Sequence, residues 1–90
     1  MEKSPQTKIA DASRMQQIMR DDIVIEAFAR LERKYWTEFK GSTTAEERVR
    51  TWAKANVLDD IKRQMQITVD AGEHEVMEAT RRVSPLAPRT

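Results

Sequence analysis

The chain has 90 residues, which leaves room for one domain with a small core. Charged residues make up 34%, hydrophobic residues 39%, and the formal net charge is +1; this balance excludes a wholly disordered chain and a general polyanion binder. Cys is absent, which excludes disulfides, thiol catalysis and Cys-based zinc sites. No apolar run is long enough for a membrane span and no signal peptide is evident, so we expect a cytoplasmic protein without membrane contact.

Pro and Gly are rare and unevenly placed. The Pro residues occupy positions 5, 85 and 88, and only Gly41 and Gly72 interrupt the stretch between them. A sheet would need several turn clusters, so this pattern predicts an all-α fold. We expect one helical domain over residues 1–90, with residues 1–10 and 84–90 as flexible polar tails.

The first predicted helical segments precede Gly41. Ala12–Arg20 has a helical pattern, with Ser13 and Gln16 as a possible cap pair. A longer helix is predicted from Asp22 to Phe39, because its apolar residues fall on adjacent stripes at helical spacing. The sequence leaves open whether Asp21-Asp22 starts this helix or continues the earlier one.

The clearest boundary is Gly41-Ser42-Thr43-Thr44. Gly41 is suited to a left-handed cap that closes the preceding helix. Thr43 with Glu46, or Thr44 with Glu47, would form a capping box that opens the next one. A loop this short makes the two helices antiparallel neighbours, so we expect an antiparallel helical hairpin or small helical bundle.

Beyond the loop, the apolar face changes direction. Ala45, Val49 and Trp52 share one face, whereas the apolar line from Leu58 to Val83 lies nearly opposite. The sequence favours a new helix capped by Asn56; the alternative is one long helix that contacts different neighbours along its length. The line follows an eleven-residue period, which argues against an ordinary left-handed coiled coil.

Gly72 stands within this line, where it costs about 1 kcal/mol relative to Ala in a helix. Either the helix breaks there, or another helix approaches too closely for a side chain. The continuity of the line beyond Gly72 favours an unbroken helix.

Candidates for chemistry are few. His74 is the single histidine, and Asp70, His74 and Glu78 share one helix face. Two of them could hold a metal, but no third ligand is evident and this face is opposite the apolar line. A solvated polar face is the better interpretation. We expect no catalytic, metal or cofactor residues and a non-enzymatic protein.

The sequence therefore favours a protein-binding module, such as an adaptor, inhibitor or assembly subunit, acting on a protein partner or a second copy. The Leu58–Val83 line is typical of an intramolecular core strip, but it spans roughly 38 Å and the Asp22–Phe39 helix only roughly 26 Å. Part of the line is therefore left uncovered unless Ala12–Arg20 or a second chain packs on it. The aromatic residues at the loop favour a loop-end core; the alternative is an exposed Trp near basic residues, which would suit a protein partner. The candidate partner-binding residues are Trp36, Trp52, Leu58, Ile61, Met65, Val69, Gly72 and Val76.

The alternative function is a small nucleic-acid-associated regulator. It would use Arg30, Arg33 and Lys34, which share a helix face, together with Arg81 and Arg82. Acidic residues are interspersed with the basic ones in both halves of the chain, which makes this function the less favoured one.

Overall fold

The structure, a computed structural model, describes residues 2–83. Three α-helices occupy this range, α1 (Pro5–Met19), α2 (Asp22–Gly41) and α3 (Ala45–Val83). The predicted all-α class is confirmed. The hairpin or small bundle remains a prediction, because the long α3 gives an extended molecule of 68 × 29 × 26 Å. The predicted tail 84–90 lies outside the described residues.

Helix α1 begins earlier than the sequence analysis indicated. Ser4 is its N-cap and accepts a hydrogen bond from the Thr7 backbone N–H, and Pro5 follows at the first helical position. Ser followed by Pro is a favourable helix start, since Pro has no N–H to leave unsatisfied. Residues 5–10, expected to belong to a flexible tail, are therefore helical, and Ser13 is inside the helix instead of capping it.

Asp21 separates α1 from α2. Its Oδ1 accepts from the backbone N–H groups of Ile23, at 2.8 Å, and Val24, at 3.4 Å. The backbone of Asp21 is extended, as expected of an N-cap. The question that the sequence left open is thus decided in favour of a new helix at Asp22.

The loop between α2 and α3 is closed by side chains. Gly41 is the last residue of α2, and among residues 2–83 no glycine has a positive φ; the predicted left-handed cap is wrong. Ser42 instead donates its hydroxyl to the Glu38 carbonyl at 2.8 Å. Thr44 Oγ1 accepts from the Glu47 N–H at 3.1 Å, and the Glu47 carboxylate accepts from the Thr43 N–H. Glu47, not Glu46, is the acidic partner in this cap.

Helix α3 runs unbroken through Asn56, so the predicted new helix at that position is wrong. Its 39 residues extend about 58 Å, which is long enough to pack against α1 and α2 placed end to end. Both shorter helices run antiparallel to α3. Three ion pairs show the register: Glu38 with Lys54, Glu32 with Lys62 and Lys8 with Glu75, with N–O distances of 3.6, 3.3 and 3.5 Å.

The core is a thin strip along α3. Thr51, Leu58, Val69 and Gly72 are buried there, and Ala12 is the buried residue of α1. Leu58 and Val69 are eleven residues apart, as inferred from the sequence, whereas Thr51, Leu58 and Gly72 are spaced by multiples of seven. In the described part of the chain no side chain is completely buried.

Helices α1 and α3 meet most closely at Gly72. A Cβ added there would overlap the Ala12 Cβ and lie 2.8 Å from the Lys8 carbonyl oxygen. The prediction of an unbroken helix with a close neighbour at Gly72 is therefore confirmed. Over residues 2–83, none of the helices combines the length and the apolar content needed to cross a bilayer.

Candidate protein-docking surface

A groove between α2 and α3 runs beside the loop that joins them. We call it the aromatic groove; it is lined by Tyr35, Trp36, Phe39 and Trp52 over a floor that includes Leu58. The Trp36 and Phe39 rings are nearly parallel, with centroids 6.1 Å apart. Packing of one ring on another holds Trp36 in one orientation, so that its indole is presented to solvent without much further loss of conformational freedom.

The two tryptophans are exposed. Trp36 keeps 59% and Trp52 62% of its surface accessible, so the prediction of a loop-end aromatic core is wrong for both. Trp52 is exposed because it follows the buried Thr51 by one residue, and one residue along a helix turns the side-chain direction by about 100°. It therefore borders the groove and does not enter the core strip.

The groove opens on one flank of α3, which we call the docking flank. Positions spaced by three or four residues along a helix share a face. The docking flank of α3 consists of Trp52, Ala55, Asp59, Lys62, Gln66, Asp70, Glu73 and Met77. Alongside it, α2 contributes Ile25 and Trp36, which are 50% and 59% exposed.

The docking flank has a basic end and an acidic end. At the loop, the Lys40 ammonium lies 5.5 Å from the centroid of the Trp36 ring, and Arg48 is exposed one turn before Trp52. At the far end, Asp70 and Glu73 are exposed. A cation over an indole face stabilises both groups and keeps the charge beside the apolar surface.

Of the eight predicted partner-binding residues, only some are accessible. Leu58, Val69 and Gly72 are buried by α1 and α2, and Met65 is half-buried. Trp36 and Trp52 both line the aromatic groove. Ile61 and Val76 each keep 47% of their surface exposed, but they lie apart from the groove; Ile61 opens beside Val57 on the opposite flank, and Val76 lies near Met77.

The sequence analysis missed Met77, which is 60% exposed, as a surface residue. Following helical spacing from Trp52 instead of Leu58 would have found it, because Met77 ends the docking flank. It also missed Ala12, whose small side chain allows the contact with Gly72. A lone Ala in a helix carries no signal of such a contact.

The basic residues of the alternative function are not brought together. Arg30 pairs with Glu26 at 2.5 Å and Arg81 with Glu78 at 3.1 Å, each within its own helix. Arg33, Lys34 and Arg82 are exposed. The group on α2 lies near the level of Lys62, which places it roughly 28 Å along α3 from Arg81.

His74 is exposed on α3. Between residues 2 and 83, no group of three His, Asp or Glu side chains is arranged to hold a metal ion. Searches for similar proteins add no family: no family model matches this chain, and neither a curated protein nor a solved structure matches it significantly.

Proposed function

We propose that this chain is a non-enzymatic protein-binding module whose docking surface is the aromatic groove and the flank that continues it. The observation that carries the proposal is the pairing of Trp36 and Trp52, both about 60% exposed, across one groove. Exposed large apolar side chains are common singly, but a contiguous group of them marks an interaction site. Adaptors, inhibitors and assembly subunits all fit this class.

The chemistry of the groove suits a protein partner. Tryptophan is enriched among interface residues that dominate binding energy, because it buries a large area and has only two side-chain torsions to immobilise. The cationic Lys40 and the carboxylates of Glu32 and Asp59 border the apolar surface, as polar residues rim an interface core. In this proposal α2 and α3 act together as a helical hairpin. The protein works in a reducing compartment such as the cytoplasm.

Replacement of both tryptophans by Ala tests this function. Each single variant should change the free energy of unfolding by only about 1 kcal/mol, because these side chains are mostly solvated. The double variant, used as bait in native lysate, should lose the bound partner, since truncating an interface anchor costs about 2 kcal/mol or more in binding. These are the only tryptophans of the chain, so a blue shift of intrinsic fluorescence on binding reports on the groove itself.

Ile23→Ala is the matched control, because Ile23 is 79% exposed and lies outside the groove. It should leave both stability and binding unchanged. Retention of the partner by the double tryptophan variant would contradict the proposal. So would a loss of about 3–5 kcal/mol in stability from either single variant, which is the cost of truncating a core Trp.

The same variants separate this function from nucleic-acid binding. Duplex DNA titrated into the chain should give no fluorescence shift at physiological salt. Tight binding of DNA that weakens steeply with salt, and that Arg33→Ala with Arg82→Ala abolishes, would favour the alternative regulator.

A further inference from the structure

Four large apolar side chains along the docking flank are half exposed or more: Ile25, Trp36, Trp52 and Met77. Since the molecule is only two helices thick along most of α3, a second layer of helices on the docking flank would bury the exposed indoles.

The charges on the docking flank are arranged to complement themselves. The basic end carries Lys40 and Arg48, and the acidic end carries Asp70 and Glu73. A two-fold axis perpendicular to the flank, near Lys62, lays the basic end of one copy over the acidic end of the other. Close to the axis, Lys62 is already paired with Glu32 of its own chain, so the charge contacts between the copies are those at the two ends.

From these exposed apolar side chains and this charge pattern we propose that the occupant of the docking flank is a second copy of this chain, packed antiparallel about that axis. The result is a two-layer dimer in which Trp52 of each copy lies near the level of Gly72 and Glu73 of the other. A two-fold interface must use the same patch on both copies, and this flank satisfies that condition because its two ends carry opposite charge. The inference rests on the proposed function and names its partner.

Charge reversal with complementation tests the dimer. Variant one carries Lys40→Glu and Arg48→Glu; variant two carries Asp70→Lys and Glu73→Lys. Sedimentation equilibrium should find the parent chain dimeric and each variant weakened at least about tenfold in its dimer dissociation constant, because like charges then face each other at both ends. An equimolar mixture of the two variants should dimerise as the parent does, since all four charged contacts are attractive in the mixed pair.

Two further variants make the result unambiguous. A single chain with all four reversals should dimerise again, which shows that each reversal acts through the contact and not through misfolding. Lys34→Glu with Arg50→Glu, placed away from the docking flank, is the matched control and should dimerise as the parent does. Dimerisation of the parent should also shift the tryptophan emission to the blue as concentration rises.

A parent chain that stays monomeric over the accessible range of concentration overturns the second-copy proposal. The proposed function then stands if the same monomer loses another protein on Trp36→Ala with Trp52→Ala, and falls if it does not. A dimer that the docking-flank reversals leave intact, that the control variant disrupts equally, or that the mixture of variants fails to restore, also overturns the proposal, because the contact then lies elsewhere.

Discussion

At the scale of single residues, Gly72 determines how closely α1 approaches α3. The carbonyl oxygen of Lys8 and the Ala12 Cβ occupy the space that a side chain at position 72 would need. Backbone and a one-carbon side chain cannot rotate away, in contrast to the end of a long side chain. The contact therefore explains why a residue unfavourable in helices is found in the middle of α3.

We predict that Gly72→Ala destabilises the protein, although Ala is the better helix former. Overpacking a tight contact costs about 1–3 kcal/mol, and this exceeds the gain of about 1 kcal/mol in helix propensity. Urea denaturation should show a lower midpoint, and Ala12→Gly added to the variant should restore part of the loss.

Gly41→Ala is the control for this prediction. No atom lies within 4 Å of a Cβ added at Gly41, and the residue is helical. Its replacement should leave stability unchanged or raise it by up to about 1 kcal/mol. If Gly72→Ala behaved in the same way, the close approach of α1 would be contradicted.

At the scale of elements, the ends of the helices depend on local hydrogen bonds. An isolated helix of 15 residues, the length of α1, is marginal in water, so α1 needs its packing against α3. The cap at Asp21 supplies the break that lets α1 and α2 pack on α3 as two separate helices. Without it, one continuous helix would compete with the observed pair.

We predict that Asp21→Ala lowers the free energy of unfolding by about 1 kcal/mol, because two backbone N–H groups of α2 lose their acceptor. Asp21→Asn keeps a side-chain oxygen and should retain most of the stability. Thermal melts followed by circular dichroism would measure both. Equal destabilisation by the two substitutions would show that the charge of Asp21, and not its cap, is responsible.

At the scale of the whole molecule, the shape follows from the length of α3. The radius of gyration is 19.5 Å, against roughly 12 Å for a compact chain of this length. The exposed apolar residues follow from the same shape, since two helices side by side cannot cover both flanks of each other.

Small-angle X-ray scattering should find a longest dimension close to the 68 Å extent of the molecule. In the side-by-side dimer that we propose, the mass doubles while this dimension stays nearly unchanged. End-to-end association would instead nearly double the longest dimension. A compact monomer with a radius of gyration near 12 Å would contradict the packing of α1 and α2 along α3.

Local signals in the sequence were sufficient for the all-α class and for a Thr-capped start of α3 after a short loop. Each depends on residues within one or two turns of one another, so their geometry is the same in any context. That Trp36 and Trp52 line the same groove was also predictable, because a short loop brings the flanking turns together. Ser4-Pro5 is a local helix-start signal of the same kind, although the polar composition of residues 1–10 predicted a flexible tail.

The sequence by itself thus determined that the chain is helical, that α3 begins after a Thr cap and that aromatic residues gather at the loop. Only the tertiary structure decided that α3 runs through Asn56, that Leu58 and Val69 face inward while Trp36 and Trp52 face solvent, and that Gly72 accommodates α1. The physical reason is that an apolar face in the sequence of one helix does not specify which other helix will pack against it. In a molecule two helices thick, the same residue type can pack against α1 or α2 or remain on the open flank, and that choice depends on contacts between residues distant in the chain.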